Sequence, residues 1–321
     1  MNTEFILIVL GEPSSTFSEL LLKYFKSKNF KKNTKKIILI GSYNLFVKQM
    51  KFLNYKIKIN RISDISNADK KKINIINVDY KFTKIFNEIS DRSNKYIQNS
   101  FNLSLKLIKK YNIYALINGP VSKKHFLKKR FPGITEYIAK KTLSKKPVML
   151  IYNRKLSVSP LTTHIPIKKV SSFIKKEKII ENIFQIHRFY LSKLKKKPII
   201  AVLGLNPHCE SIDKFSEEKS EIKPAIKYLT KKNIKVEGPI SADTFFLAKN
   251  IRKYDVVVGM YHDQVLAPVK TLFKFEAINI TIGLPFIKIT PDHGPNFEMI
   301  GKNKSDASSI FYALNFLNKF K

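Results

Sequence analysis

The sequence is poor in several residue types, and each shortage excludes a class of protein. Its single cysteine, Cys209, rules out an internal disulfide framework, so a reducing cytoplasm is the expected compartment. Only 10 glycines are present, and neither a Gly-x-Gly-x-x-Gly nor a Walker-type phosphate loop occurs, so the ordinary nucleotide-binding fingerprints are missing. The apolar run near the start, residues 5–10, has the length of a strand, whereas a bilayer span needs about 20 apolar residues. We therefore expect neither a membrane partner nor a secretory signal.

Acidic residues are also scarce, since 24 Asp and Glu stand against 60 Lys and Arg and the net charge is +36. Such a charge is typical of proteins that bind nucleic acid. However, the basic residues are almost all Lys rather than Arg, and they are spread along the whole chain instead of being gathered in one tail. We interpret most of them as solvated surface and do not expect a nucleic-acid partner. Polyanion binding stays open as an alternative, and the positive field should attract an anionic substrate.

Short apolar runs alternate with longer amphipathic ones, which indicates an α/β fold with a mostly parallel sheet and helical crossovers. The predicted strands are Phe5–Leu10, Lys36–Ile40, Tyr114–Asn118, Pro147–Ile151, Ile199–Leu203, Val256–Met260 and Ala277–Ile282. The predicted helices are Ser18–Ser27, Ser93–Tyr111, Thr135–Thr142, Lys176–Leu194, Ile222–Lys232, Ala242–Asn250 and Ser305–Phe320. The Lys-rich stretch from about residue 54 to 74 is interpreted as irregular surface.

Three of the six histidines, His164, His208 and His262, each follow a predicted or plausible strand. In open α/β sheets the ligand crevice lies at the carboxyl ends of the strands. Three neutral imidazoles that leave one position open are a known arrangement for a catalytic metal. Any one of them is more often a hydrogen-bonded loop or core histidine, and the long separations differ from a compact His-Glu-x-x-His. The residues alone therefore leave both interpretations open. Of the other histidines, His293 lies in a turn-rich loop and could line a site.

Five ordered motifs resemble one family, the 4-hydroxythreonine-4-phosphate dehydrogenases of pyridoxal phosphate synthesis. The matching stretches are Leu161-Thr162-Thr163-His164-Ile165-Pro166, Leu203-Gly204-Leu205-Asn206-Pro207-His208, Gly238-Pro239-Ile240-Ser241-Ala242-Asp243-Thr244, Met260-Tyr261-His262-Asp263-Gln264 and Gly283-Leu284-Pro285-Phe286-Ile287. Weaker matches occur at residues 133–137 and 292–294. The resemblance runs in order through nearly the whole chain and is strongest from about residue 114 to 294.

The resemblance implies two α/β/α subdomains with mostly parallel sheets and an active-site cleft between them. We place the first at residues 1–128 plus about 290–321, and the second, which would carry the metal ligands and the dimer contacts, at residues 129–289. It further implies an NAD-dependent or NADP-dependent oxidation of 4-phosphohydroxy-L-threonine, with decarboxylation to 3-amino-2-oxopropyl phosphate. The expected partners are this small phosphorylated substrate and a second copy of the chain, in a homodimer with a shared active site.

The same resemblance assigns roles to individual residues. One divalent ion, such as zinc, magnesium or cobalt, would be bound by the three histidines, and the substrate would contact Thr135, Lys270 and Asn279. Asp243 and Asp263 are candidates for the catalytic base or for orienting a metal-bound histidine. Asp243 is also explained as a plain helix N-cap. Asp292 and His293 are the candidates for cofactor binding.

The sequence departs from the family pattern at positions that would contact substrate. Ile134 stands where the family usually carries His, which removes a polar contact. Lys288 stands where the family carries a substrate-binding Arg, so the charge is kept but the bidentate fork is lost. We therefore count both among the substrate-binding positions. An alternative function is a related dehydrogenase for another phosphorylated hydroxy acid, of phosphothreonate or phosphoerythronate type, and a second alternative is a non-catalytic polyanion-binding protein.

Overall fold

The computed structural model describes residues 1–128, 130–210, 215–273, 277–291 and 296–320. The chain divides into two compact units, with residues 1–145 and 284–321 in unit 1 and residues 146–283 in unit 2. No helix among the described residues combines the length and the apolarity that crossing a bilayer would require.

Unit 1 is built on a fully parallel sheet with strand order β3-β4-β2-β1-β5-β12. Its strands are β1 (Phe5–Val9), β2 (Lys36–Gly41), β3 (Ile59–Ile62), β4 (Ile73–Asn77), β5 (Ala115–Asn118) and β12 (Ile287–Thr290). Its helices are α1 (Phe17–Lys26), α2 (Lys28–Lys31), α3 (Tyr43–Phe52), α4 (Asn94–Tyr111), α5 (Ile134–Lys141) and α12 (Ser308–Leu317). The residues of β1 are all buried, as expected for a central strand of a parallel sheet.

Unit 2 contains a mixed sheet with strand order β11-β6-β7-β10-β8-β9, in which β7, β10, β8 and β9 are parallel neighbours. The pairs β11–β6 and β6–β7 are antiparallel. Its strands are β6 (Val148–Tyr152), β7 (Ser157–Thr162), β8 (Ile200–Leu203), β9 (Val236–Ile240), β10 (Val256–Tyr261) and β11 (Ile278–Ile282). Its helices are α6 (Val170–Phe173), α7 (Lys176–Phe189), α8 (Lys223–Lys231), α9 (Ala242–Phe245), α10 (Ala248–Ile251) and α11 (His262–Phe273).

The two ends of the helical segment at residues 218–231 have different geometry. Residues Glu218–Ile222 form a π-helical turn that runs directly into α8. Pro224 lies in the first turn of α8 and has no N–H, so the carbonyl of Ser220 cannot receive the usual i→i−4 hydrogen bond from it. A missing donor at this position favours the wider π register just before α8.

The α/β class with mostly parallel pairing is the fold expected from the sequence. The interpretation of residues 54–74 as irregular surface was wrong, because β3 and the start of β4 lie there. β3 is an end strand in which only Ile62 is buried, so backbone pairing with β4 supplements a limited apolar burial.

The two unit boundaries fall at different residues from those placed by the sequence. Helix α5 belongs to unit 1 because Tyr137 and Ile138 are buried in that unit's core beside Phe101. The first boundary therefore lies after residue 145 rather than near 128. The helix expected over residues 242–250 forms as α9 and α10, with a break at Phe246 and Leu247.

Candidate active site

The three candidate metal ligands follow three neighbouring parallel strands of unit 2. His164 comes shortly after β7, His262 directly follows β10, and His208 lies in the turn that follows β8. Because the order of these strands is β7-β10-β8, the three histidines come from the carboxyl edge of one continuous part of the sheet. This is the edge at which open α/β sheets bind ligands.

His164 and His262 form a pair. Their ring centroids are 6.0 Å apart and the ring planes are inclined by 35°. The Nδ1 atom of His262 lies 2.7 Å from Oδ1 of Asp263. In the tautomer that has its proton on Nδ1, this N–H donates a hydrogen bond to Asp263, and Nε2 keeps a lone pair that can bind a metal.

His208 and Asp243 form a second, looser pair. The Nδ1 atom of His208 is 3.9 Å from Oδ2 of Asp243, and both side chains are more than half exposed. Asp243 follows β9, the neighbour of β8, and its Oδ1 accepts a hydrogen bond of 2.6 Å from Ser241. That hydrogen bond holds the pKa of Asp243 below its usual value. Ser241, rather than Asp243, occupies the N-cap position of α9.

The backbone at two of the histidines lies in the left-handed region. His164 and His208 both have φ of 54°, and Cys209, next to His208, has φ of 61°. Residues other than glycine seldom adopt this conformation, and it persists only where surrounding contacts enforce it. Other residues, such as Leu143 and Lys195, also adopt this conformation, so at His164 and His208 it marks locally strained turns that carry candidate ligands.

The donor set suits a divalent ion of borderline character, and the described residues of one chain bring part of it together. Two imidazoles on one tetrahedral zinc would have ring centroids about 5 Å apart, so the 6.0 Å separation of His164 and His262 is compatible with a shared ion. Among the described residues, however, no group of three His, Cys, Asp or Glu side chains is close enough to hold a metal. Within one chain, the observed unit is therefore a two-histidine pair.

Gln264 links the ends of two of these strands, a role that the sequence analysis missed. Its Oε1 accepts a hydrogen bond of 2.7 Å from the N–H of Met260, and its Nε2 donates one of 2.8 Å to the carbonyl of Gly204. The side chain therefore joins the end of β10, which leads to His262, to the turn that leads to His208. Its place in the Tyr-His-Asp-Gln motif was the available signal.

Two of the candidate substrate residues meet in unit 1. Lys288 on β12 is 1% exposed, and its Nζ donates a hydrogen bond of 3.3 Å to Oγ1 of Thr135 at the start of α5. Burial lowers the pKa of Lys288 to about 7, while the neighbouring Glu136 raises it in part. Oε2 of Glu136 is buried and lacks a hydrogen-bond partner among the described residues. Ile134, half-buried beside them, packs against the core of unit 1.

The two remaining candidate substrate residues that the structure describes lie on different elements of unit 2. In unit 2, Lys270 is exposed on α11. Asn279, also in unit 2, lies on β11, and its Oδ1 is buried without a partner in the described part of the chain. An orphaned buried acceptor of this kind is suited to a donor on a ligand. Asp292 and His293 lie outside the described residues.

The turn that follows β1, which contains Gly11 and Glu12, does not fit a dinucleotide pyrophosphate. Gly11 has φ of 71°, and a Cβ there would stand 2.5 Å from the carbonyl oxygen of Pro120, so this glycine serves close packing against the segment after β5. Glu12 is buried in the same turn and accepts a hydrogen bond from Ser93. Burial raises the pKa of Glu12 to about 7. A carboxyl group at this point is a poor neighbour for phosphate.

Comparison with known proteins agrees with the motifs. The family model described as "Pyridoxal phosphate biosynthetic protein PdxA" matches residues 33–317. The 4-hydroxythreonine-4-phosphate dehydrogenase of Sulfurihydrogenibium sp. is 38% identical over 314 residues, covering 96% of this chain and 95% of that protein. A protein of Oceanobacillus iheyensis named for D-threonate 4-phosphate dehydrogenase activity is 29% identical over 316 residues, covering 96% and 95%. The crystal structure of 4-hydroxythreonine-4-phosphate dehydrogenase from Klebsiella pneumoniae matches with a TM-score of 0.85 at 25% identity, covering 98% of both chains.

The fold and the residues at its sheet edge define an α/β protein with histidines at the ends of neighbouring parallel strands. The extent of the family match and the identity to the Sulfurihydrogenibium protein assign the family. The chain belongs to the PdxA family of pyridoxal phosphate biosynthetic proteins. The resemblance found in the sequence motifs is thereby confirmed.

Proposed function

We propose that this chain is a metal-dependent, NAD-linked dehydrogenase that oxidises and decarboxylates 4-phosphohydroxy-L-threonine to 3-amino-2-oxopropyl phosphate. The observation that carries the proposal is the succession of His164, His262 and His208 along the carboxyl ends of β7, β10 and β8. Membership of the PdxA family supports the same activity, because relatives are named for it.

In this proposal the three histidines bind one divalent ion and a second copy of the chain completes the site. The absence of a three-residue cluster among the described residues of one chain supports a contribution from a partner. When bound, the ion supplies a Lewis acid for the substrate hydroxyl and the nicotinamide supplies the oxidant. Because the turn that follows β1 does not fit a pyrophosphate, NAD dependence rests on the family alone.

The protein's own residues then divide the remaining work. Asp263 orients the imidazole of His262 through the 2.7 Å contact at Nδ1. Asp243 lies beside His208 and is available either to orient it or to accept a proton from the substrate hydroxyl. Within unit 1, Lys288 and its neighbour Thr135 offer an ammonium group and a hydroxyl donor to an anionic group of the substrate, and a bound anion would favour the charged form of the lysine. Lys270 and Asn279 remain proposed substrate contacts from the family pattern.

A second substrate, D-threonate 4-phosphate, has specific support. One relative across nearly the full length is named for that activity, and its identity of 29% is not far below that of the 4-hydroxythreonine-4-phosphate dehydrogenases. Ile134 and Lys288 depart from the usual pattern at substrate-contacting positions. A lysine presents a point charge where an arginine presents a planar fork, so selectivity among phosphorylated hydroxy acids is expected to differ.

The test is NADH formation with both phosphorylated acids, measured on protein loaded with zinc, cobalt or magnesium in turn. We expect turnover with 4-phosphohydroxy-L-threonine, carbon dioxide release in equal amount, and loss of turnover in the His164→Ala and His262→Ala variants. As a matched control, His187→Ala alters a histidine of α7 that lies away from the candidate site in sequence and should keep activity.

Turnover with D-threonate 4-phosphate alone would replace the proposed substrate but leave the site intact. Full activity after chelation and in both histidine variants would refute the metal site itself. Sedimentation of the active protein as a monomer would refute the shared site.

A further inference from the structure

A buried carboxylate supports the turn that carries His208. Glu218 is fully buried at the start of the π-helical turn, and its Oε1 accepts hydrogen bonds from the backbone N–H groups of Leu205 and Asn206, at 2.7 and 2.8 Å. Its Oε2 accepts from Nδ2 of Asn206 at 2.9 Å and from Oγ of Ser216 at 2.6 Å. One side chain therefore satisfies two consecutive backbone donors of the segment between β8 and His208.

The close approach of this carboxylate depends on Gly204. A Cβ on that residue would stand 3.2 Å from Oε1 of Glu218 and 2.7 Å from Sγ of Cys209. The missing side chain thus leaves room for both the carboxylate and the Cys209 thiol close to the Cα of Gly204. Burial would raise the pKa of Glu218, but the hydrogen bonds from Asn206 and Ser216 outweigh it and lower the pKa to about 2. Glu218 is therefore an anion at any working pH.

The same acidic segment also binds the chain that follows His164. Glu217 accepts hydrogen bonds from Nδ2 of Asn206, at 2.9 Å, and from the hydroxyl of Ser171 in α6. Glu221 accepts one from the N–H of Lys176 at 2.8 Å. Residues 217–221 therefore connect the segment after β8 with the segment between β7 and α7.

The turn at His208 and Cys209 is strained, and the hydrogen bonds to Glu218 help to hold it in that conformation. His208 and Cys209 are consecutive residues with left-handed backbone angles, each of which is unfavourable for a residue with a side chain. A turn with two such residues relaxes when nothing holds it. The hydrogen bonds to Glu218 lie immediately before the strained pair and fix the direction in which the chain enters it.

We propose that Glu218 is a positioning residue, which clamps the segment Gly204–Cys209 and so holds the His208 imidazole in place for metal binding. The metal part of this inference rests on the proposed function, whereas the clamp itself does not. In this role Glu218 contacts neither the substrate nor the imidazole ring of His208. It acts through the backbone of Leu205 and Asn206.

Cys209 provides a direct measure of the clamp because it is the single cysteine of the sequence and lies in the clamped turn. The rate at which its partly buried thiol reacts with a chromogenic disulfide, in metal-free protein, reports how well the turn shields it. Burial and the Glu218 charge both raise the pKa of this thiol, so the rates are compared at their high-pH plateau, where the thiol is fully ionised in every variant. In Glu218→Ala we expect this rate to rise on the order of ten-fold or more, because the partly buried backbone N–H groups of Leu205 and Asn206 lose their charged acceptor. Glu221→Gln is the matched control, since Glu221 belongs to the same π-helical turn but does not bind residues 204–209, and its rate should stay unchanged.

Cobalt titration, followed by the visible absorption of the bound ion, gives the second measurement. We expect Glu218→Ala to weaken cobalt binding roughly ten-fold to a hundred-fold, as for loss of residues that orient metal ligands. Glu218→Gln keeps one acceptor oxygen for the two backbone donors and should recover part of both the cobalt affinity and the slow thiol reaction. This variant also keeps the test decisive if Glu218→Ala fails to fold.

The outcomes separate the clamp from the metal site. An unchanged thiol rate in folded Glu218→Ala and Glu218→Gln overturns the clamp, whatever the cobalt result. Cobalt affinity that is unchanged in His208→Ala overturns the metal site and the positioning role, while the thiol rate still decides whether the clamp exists. Faster thiol reaction together with weaker cobalt binding, in both Glu218 variants and not in Glu221→Gln, supports the full inference.

Discussion

Replacing the buried Lys288 by Met should change the pH dependence of stability. Burial lowers the pKa of this lysine from 10.5 to about 7, a shift that corresponds to about 5 kcal/mol of penalty on the charged form at about 1.4 kcal/mol per unit. The folded protein loses this proton near pH 7, whereas the unfolded chain keeps it until about pH 10.5. Between these values the unfolded state binds more protons, so the wild-type protein gains stability as the pH rises.

The assay is urea unfolding of wild type and Lys288→Met at pH 6, 7, 8 and 9, in buffers free of phosphate. The free energy of unfolding of wild type minus that of the variant should rise by about 2.3 kcal/mol from pH 7 to 9 and change by less than about 0.5 kcal/mol below pH 7. Loss of the electrostatic interaction between Lys288 and Glu136 shifts the whole curve of unfolding free energy against pH but contributes little to its slope. Lys106→Met, at an exposed position on α4, is the control and should give a flat difference. A flat difference for Lys288→Met as well would refute the assignment of a neutralised buried lysine.

Three further predictions concern single contacts. Asp263→Ala removes the hydrogen-bond acceptor at Nδ1 of His262 and should weaken cobalt binding about ten-fold to a hundred-fold. The melting temperature should not fall, and an unchanged cobalt affinity would contradict the orienting role. Gly11→Ala introduces a Cβ 2.5 Å from the Pro120 carbonyl at φ of 71° and should cost about 1–3 kcal/mol in chemical denaturation, so a neutral result would show that the turn relaxes freely. Tyr114→Phe deletes the buried hydrogen bond of 2.8 Å from the phenol to the Leu317 carbonyl and should cost about 1–2 kcal/mol, and an equally stable variant would mean that the carbonyl finds another donor.

The sequence predicted those elements whose apolar pattern is strong. β1 and β10 are continuous apolar runs, and α4 and α7 carry long amphipathic patterns, so their positions were predicted to within a residue or two. The exception is the end of α7, where the predicted helix continues as a second π-helical turn, Tyr190–Leu194. β3 was missed because its two isoleucines are separated by Asn60 and Arg61 and preceded by lysines, so its hydrophobic pattern is weak. Its formation depends on pairing with β4, which a local pattern does not reveal.

The candidate site was predictable in its residue types but not in its supports. Histidines after strands are visible in a sequence, and the strand order β7-β10-β8 that makes them neighbours is not, because it arises from long-range pairing. Glu218 was overlooked because a glutamate at the start of a helix usually faces solvent. The burial of Lys288 had one signal, its position between Ile287 and Ile289 in a short apolar run, and that signal was not used.

The abundant lysines and one proline have a further effect at the two outermost strands, β3 and β9, because they hinder pairing with other molecules. Each is the last strand on its side of its unit's sheet, where unpaired backbone groups would otherwise recruit a strand from another molecule. Lys56 and Lys58 place repelling charge just before β3, and Arg61 places it on the strand. Pro239 deprives β9 of one N–H donor. At high protein concentration, as during synthesis in a crowded compartment, edge strands with such charges or a proline disfavour β-sheet formation between molecules.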